Sequence, residues 1–462
     1  MNQDIKKRII NKIFAIVFLL TIFFVPLFLS AKIQIDFICT LTFAVNGILF
    51  ITGIYKAIYK YSISMELLYW LFMFFFMYFA PMIQYRMDSY PWRGAVTGVE
   101  ILYANGIILL FNAFFILGNY FERKFRIAGL SENGITRWLS SALGIKKKFR
   151  IVFSMIIMLL TVYSVYKTGL AGIIVSRTQA TNAFYSGNNS AIELIVESVI
   201  PAFFTYIVAD AAQNIVQKKE NGVRFVLLLI CMLLCFFPTT IPRFKTATIY
   251  GVLFLLVFPW FSKGSRFFWL FSIGLFVLFP LLSAFRYVVS QNMISDLLKE
   301  GFFESYTEGD YDAYRMLVSA IRYVSSRGST FGYQLLGVIL FFIPSSIWKS
   351  KPIGSGGMLI KSELGQDVFS NVSCPFIAEG LVNFGIMGVA LFAVLLGIFV
   401  SNLDKKYWNH VQYSNGYLVC SPYLFLVFML FFVMRGDLLS GFAYVCGFIA
   451  TGFLLKPFTK QG

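Results

Sequence analysis

The residues of this chain that could do chemistry sit where apolar runs end. Glu100, Arg177, Glu193, Glu197, Arg243, Lys245, Arg286, Glu379, Arg435 and Asp437 fall near one set of run ends, with both charge signs present. An ionisable group at bilayer depth is costly, so such residues commonly face a cavity and mark function. The alternative is a helix-end side chain snorkelling to the headgroups. In "FPTTIPRFKTATIYG", Arg243 and Lys245 lie in a proline-flanked turn, held near the level of a lipid phosphate. Arg286 follows "FPLLSAF", and a planar guanidinium fork suits phosphate oxygens better than an ammonium. A phosphate-bearing lipid is the partner this chemistry fits.

Sugars are a second ligand class. Between Tyr311 and Tyr323, the residues Asp312, Arg315, Ser319 and Arg322 recur at helical spacing. An amphipathic helix that presents arginines and rings can hold sugars by stacking and hydrogen bonding; a solvated helix face is the alternative. Downstream, the stretch "IPSSIWKSKPIGSGG" carries Trp348, Lys349 and Lys351, with Lys361 beyond it. "GSGG" has no strand before it, no helix after it and no following Lys-Ser/Thr, so it reads as a flexible loop and not a nucleotide cradle. The sole histidine, His410, lies in "NLDKKYWNH" on the opposite side, which leaves carboxylates as the ordinary general bases. Glu379, in "CPFIAEGLVNFGIMG" at the mouth of a glycine-rich span, is the best placed; a structural Glu paired with a nearby arginine is an equal alternative. The six cysteines are scattered, mostly inside apolar runs, and read as small apolar filler, with no disulfide framework or metal knuckle in their spacing.

The elements that must position these residues are helices in a membrane. Of 462 residues, 58% are hydrophobic and only 13% charged, against roughly 25% charged in a soluble domain. Apolar runs long enough to cross a hydrocarbon core recur at 9–31, 36–55, 66–83, 98–118, 151–170, 191–213, 225–242, 246–262, 267–285, 376–400, 417–434 and 438–455. The expected architecture is an all-α polytopic membrane protein of about twelve spans. It divides into a nine-helix region over 1–285, a long periplasmic region over 286–375 and a three-helix region over 376–462. The net charge of +17 lies mostly in short loops on one side, above all in 119–150, which places both termini in the cytoplasm and sets nucleic acid aside. The N-terminal run has the charge pattern of a signal peptide but is too long for one, and reads as a retained first helix. Within 119–150, Ile135, Trp138, Leu139, Ala142 and Leu143 share a helical face, as an interfacial helix on the inner leaflet would require. The run Phe331 to Trp348 is broken by Pro344 after a short apolar core and reads as a re-entrant or interfacial element. The absence of a visible internal repeat counts against repeat-built transporters.

The ordered series of "FFIPSSIWKSKP", a glycine-rich loop, and "IAEGLVNFGIMG" opening a span, preceded by "IPRFKT" before another span, resembles the bacterial O-antigen polymerase family (Wzy). The resemblance covers roughly Pro238 to Val400. It implies an inner-membrane glycosyltransferase, independent of metal and nucleotide, that moves a growing O-antigen or capsular glycan from undecaprenyl pyrophosphate to the next lipid-linked repeat unit at the periplasmic face. A chain-length regulator protein is an implied further partner. Carried onto this sequence, the implied positions are Arg243, Arg286, Lys351 and Glu379, with Arg315 and Arg322 in the long loop. "IPSSIW" has serine where an arginine commonly follows the proline, which shifts the first basic contact to Lys349 and Lys351.

In this reading Glu379 and Arg286 are catalytic. Arg243, Lys245, Arg177, Arg315, Arg322, Lys349 and Lys351 neutralise the departing pyrophosphate, and Tyr311, Tyr314, Tyr323 and Trp348 face sugar. The alternatives are a flippase for the same lipid-linked oligosaccharide, which should line a full path with charge, and an O-antigen ligase, a family associated with a periplasmic histidine.

Overall fold

The computed structural model describes residues 3–29, 32, 35–92, 94–125, 134–169, 191–238, 241–280, 303–365, 372–413 and 418–460. Helices overlie every expected span: α1 (Gln3–Phe28), α2 (Phe37–Lys60), α3 (Met65–Met87), α4 (Gly98–Phe125), α6 (Lys147–Thr168), α7 (Ala191–Val216), α8 (Val223–Cys235), α9 (Arg243–Val257), α10 (Arg266–Leu278), α14 (Phe376–Tyr413), α15 (Pro422–Arg435) and α16 (Leu438–Leu455). Between them lie the short helices α5 (Gly134–Leu139), α11 (Ala313–Arg327), α12 (Tyr333–Ile339) and α13 (Ser355–Leu364). Among the described residues there is no strand and eight helices are long and apolar enough to cross a bilayer, as in an all-α, multi-pass membrane protein; α8, α10 and α15 are apolar but shorter.

Helix α3 is the axis of the bundle, because its membrane-length window is wholly buried by other helices. A helix apolar on every side has no reason to face water or lipid in particular, and is free to take the centre. Its middle turn widens to π geometry over Phe75–Phe79, where Phe75 and Phe76 pack edge-on at 5.0 Å. The start of α3 is fixed by side chains: Ser64 accepts from Leu67 N, while Met65 N and Glu66 N donate to the Asp404 carboxylate at 2.9 and 3.1 Å.

Helices α4 and α14 approach most closely, because glycines remove the side chains between them. A Cβ on Gly118 would strike the Val394 carbonyl, and one on Gly397 would strike the Phe115 carbonyl. Lipid tails are as apolar as leucine, so close van der Waals packing through small residues is what holds such a pair together.

Helix α14 is bent near its start. Phe384 and Gly385 leave helical geometry, Gly385 with φ +63° and ψ −150°, a conformation open to glycine. The bend brings Gly380 against Gly388, and residues 376–383 form a separate short helix whose end is capped from outside. Thr330 N donates to Val382 O at 2.8 Å, Gly332 N to Asn383 O at 3.0 Å and Leu335 N to Asn383 Oδ1 at 2.8 Å.

Two expectations are corrected. The face carrying Trp138, Leu139 and Leu143 does not lie free on a leaflet: these residues are buried against the bundle, with Trp138 stacked on Phe453 at 4.0 Å. The stack gives the indole a protein surface in place of the headgroup layer. Equally, "GSGG" is not a flexible loop. It opens α13, where Gly354 packs against the Asp437 carboxylate and Gly356 against the carbonyls of Val372 and Ser373, contacts only residues without side chains allow.

Substituting Gly118 by Leu overfills the α4–α14 contact. We expect a loss of about 2–3 kcal/mol, in the range of overpacked cores, read as a lowered unfolding midpoint of the purified protein in detergent. Leucine at the exposed, open Gly222 leaves the midpoint near wild type.

Candidate functional site: a polar end of the bundle

The chain runs up and down through the bundle, so the starts of α2, α4, α9, α14 and α16 and the ends of α3, α10 and α15 share one end with α11, α12 and α13. That end carries three connected polar clusters.

The first is built on α11, whose Arg315 and Arg322 both reach Glu363 of α13. Arg315 is fully buried; its Nη2 donates to Glu363 Oε1 at 2.6 Å and its Nη1 to Ser319 Oγ at 2.5 Å, while Ser319 donates on to Glu363 Oε2 at 2.7 Å. Arg322 donates to Glu363 and forks onto Glu100 at 2.6 and 3.0 Å. Glu100 is also the receiving partner of Thr97 N and Oγ1 at the start of α4.

The second cluster centres on Asp312 at the head of α11. It accepts from Trp92 Nε1 at 3.1 Å, Ser373 Oγ at 2.6 Å and Arg435 Nη2 at 3.2 Å, and Arg435 also donates to Gly309 O at 3.1 Å. Beside it Arg243 pairs with Asp310 at 2.9 Å and lies over Phe279, while Lys245 lies over Tyr444.

The third is a pair of carboxylates, Glu379 buried and Asp437 half-buried. Glu379 accepts from Ser355 Oγ at 2.8 Å and Leu438 N at 3.1 Å; Asp437 accepts from Gly356 N at 3.0 Å and caps α16 through Leu439 N at 2.9 Å. Helix α13 therefore touches the first cluster through Glu363 and the third through Ser355 and Gly356. Among the described residues no group of three or more His, Cys, Asp or Glu side chains converges as a metal site would.

This geometry sorts the residues expected from sequence. Arg243, Lys245, Arg315, Arg322 and Glu379 come together at one end of the bundle. Arg315 is a correction: a fully buried guanidinium locked onto Glu363 braces α11 against α13 and presents no face to a ligand. Tyr311 and Tyr314 are corrected too. Both are fully buried, Tyr311 among Phe75, Phe76 and Phe279, and Tyr314 beside Phe43 with its hydroxyl donating to Asn105 Oδ1 at 3.2 Å. Apolar ring surface is worth more against the phenylalanine belt of α3 than in water. Lys351 is tied to the backbone, its Nζ donating to Phe341 O at 2.7 Å and Ile343 O at 2.9 Å, and burial pushes its pKa down. Lys349 is exposed; Tyr323 and Trp348 are half-buried, Trp348 edge-on to Tyr333 at 6.2 Å. Arg177 and Arg286 lie outside the described residues.

Sequence reasoning missed Glu363, Asp310, Trp92 and Ser355. Glu363 is a lone carboxylate in an ordinary stretch, and nothing local marks it as the partner of arginines more than forty residues away. No protein-family model, curated protein or solved structure matches the chain.

Glu363 links structure to pH. Burial alone pushes its pKa up, but hydrogen bonds from Arg315 and Ser319 and the charge of Arg315 outweigh it, and the net shift is downward from 4.5. A depressed carboxylate pKa means stability that is complete above the unfolded value and is lost as pH falls through the folded one. The unfolding midpoint should therefore drop below pH 4.5 in the wild type. In Glu363→Gln it is already lower at pH 7 and changes less on acidification; a variant that matched wild type at both pH values would remove the brace from this account.

Proposed function

We propose that the protein is a glycosyltransferase of the O-antigen polymerase type, which joins lipid-linked O-antigen or capsular repeat units at the outer face of a bacterial inner membrane. The observation that carries this reading is that the Glu379 and Asp437 carboxylates share one end of an apolar bundle with the cations Arg243, Lys245, Arg322 and Arg435. The opposite end holds the lysine- and arginine-rich segments 119–125, 134–150 and 216–224, the composition of cytoplasmic loops, which supports an outward-facing polar end. In this topology there are twelve spans, and 331–348 is an element of the outer face that does not cross.

The reaction balances without a nucleotide. An acceptor hydroxyl oxygen on the incoming repeat unit attacks the anomeric carbon of the growing glycan. The bond from that carbon to the undecaprenyl pyrophosphate oxygen breaks, and its electron pair leaves with the pyrophosphate. The hydroxyl proton passes to Glu379, which is reached when Ser355 and α13 give way. Arg243, Lys245 and Arg322 stabilise the negative charge gathering on the leaving group, and Lys349 stands exposed for the same task. Tyr323, Tyr333 and Trp348 supply ring surface for sugar. A chain-length regulator protein is a partner of this reaction.

A flippase is the weaker reading. It needs charge along a path through the bilayer, and the described spans carry their Asp, Glu, Lys and Arg towards their ends.

The test is surface polysaccharide from cells with the gene deleted and then restored. Polymerase activity predicts a core carrying a single repeat unit on deletion and a full ladder on restoration. Restoring Glu379→Gln or Arg243→Ala, at wild-type membrane levels, should shorten or abolish the ladder, with turnover down by about 10²-fold or more for the loss of a proton acceptor. A bare core with lipid-linked units trapped in the cytoplasm would replace this reading by the flippase.

A further inference from the structure

The seam between α4 and α14 ends, on the side away from the polar clusters, in a group of buried oxygens that no donor serves. The two helices run in parallel, and the stripe of α4 that carries Phe115, Gly118, Asn119 and Glu122 meets Val394, Gly397 and Asn402 of α14. Asn119, Glu122 and Asn402 are only 5%, 3% and 4% exposed. Asn402 Nδ2 donates to Glu122 Oε1 at 2.8 Å, which sets the amide beside the carboxylate. Among the described residues the other two oxygens of that pair, Glu122 Oε2 and Asn402 Oδ1, have no donor, and neither has Asn119 Oδ1, one turn earlier on α4.

Three acceptors without a donor, one of them anionic, are costly at this depth. Turning the Asn402 amide over would only move the shortage, since the carboxylate would lose the donor it has. A water molecule has two hydrogens to give and carries no charge, so a single water leaves one oxygen and the charge of Glu122 unmatched. Lys406, one turn beyond Asn402, is close enough for its charge and that of Glu122 to act on each other, but no hydrogen bond reaches Oε2. A metal cation supplies what the group lacks, because hard cations take carboxylate and amide oxygens as ligands. One carboxylate balances one charge, which favours a monovalent ion over calcium or magnesium. None of the three oxygens is open to a water-sized sphere, so the ion is a small one held bare, with protein oxygens in place of its hydration shell.

We infer that Asn119, Glu122 and Asn402 bind a small monovalent cation, of the size of sodium, at the end of the α4–α14 seam. Gly118 and Gly397 bring the two backbones into contact, and the ion joins the helices just beyond, where side chains replace that contact. The way in is short, since Arg123 and Lys124, the next residues of α4, are exposed. The site is independent of the polymerase reading, because it uses none of those residues.

The test is thermal unfolding of the purified full-length chain in detergent, with sodium chloride exchanged for choline chloride at constant ionic strength and pH. A ligand that binds only the folded state stabilises with the logarithm of its concentration, so the midpoint should rise by about 3 °C as sodium goes from about 1 to about 100 mM. Glu122→Gln removes the charge and adds an N–H donor to the group. That variant should ignore sodium and, in choline, unfold at or above the wild-type midpoint. If it fails to fold, Asn119→Ala decides: with one ligand gone, the same rise should need about tenfold more sodium. A wild-type midpoint equal in sodium and choline, or a sodium dependence unchanged by the substitution, would overturn the site and leave the oxygens to water or a proton.

Discussion

The Asp404 carboxylate joins three helices at one point, and much of the bundle depends on that junction. It belongs to α14, accepts both leading N–H groups of α3 and takes the Tyr423 hydroxyl of α15 at 2.5 Å. A bilayer offers no water to the first turn of a helix, so a wholly buried α3 can begin at this depth only if protein groups satisfy its donors. The same condition holds nearby, where Glu66 is paired with Lys60 at 2.5 Å and with Arg123 at 3.3 Å, and Trp408 Nε1 donates to Ile63 O at 2.7 Å. The central helix is therefore fixed in register at its start, and the phenylalanine belt it carries fixes whatever packs against its other end.

That other end is where the long segment before α14 meets the membrane body. Tyr306 and Tyr311 insert among Phe75, Phe76 and Phe79, and Gln84 Nε2 donates to the carbonyls of both tyrosines at 2.8 and 3.0 Å. Once these rings are seated, α11 has no freedom to present its charged face outward. Arg315 and Asp312 are turned inward, and each must then find its partner. Buried ion pairs of this kind add little net stability over apolar packing, but losing one member leaves an uncompensated charge; they act mainly to forbid other arrangements. The polar end is specified by its own need for satisfaction.

The membrane body was legible in the sequence because its signal is local. An apolar run announces a helix, and among the described residues each expected run carries one, eight of them long and apolar enough to cross a bilayer, with boundaries displaced where charged ends such as "FERKF" continue α4 to Phe125. The concentration of charges at run ends was equally visible. The inward turn of Tyr311, Tyr314 and Arg315 was not, because a helix with polar and aromatic faces reads as amphipathic toward water, and only the distant belt of α3 reverses that preference. Glu363 and Ser355 were invisible for a related reason: their partners lie on other elements. The glycines of "GSGG" read as a flexible loop, but whether a glycine permits motion or close contact depends on what approaches it, and here the Asp437 carboxylate and the carbonyls of Val372 and Ser373 do.

The bend at Gly385 gives the polar end its unity. Because residues 376–383 leave the axis of α14, Glu379 is not positioned by the membrane span that follows it. It is positioned by the groups that hold the short segment: Thr330, Gly332 and Leu335 at its end, Ser355 and Leu438 at its carboxylate. Ser355 lies on the same helix as Glu363, and Glu363 is gripped by Arg315 and Arg322 of α11. One ten-residue helix therefore contacts both groups: a displacement of α13 removes Ser355 from Glu379 and Glu363 from Arg322, and leaves Glu379 on Leu438 N and Arg322 on Glu100. In the proposed transfer Glu379 is the proton acceptor and Arg322 one of the cations facing the leaving group, and α13 is the element that ties their positions together.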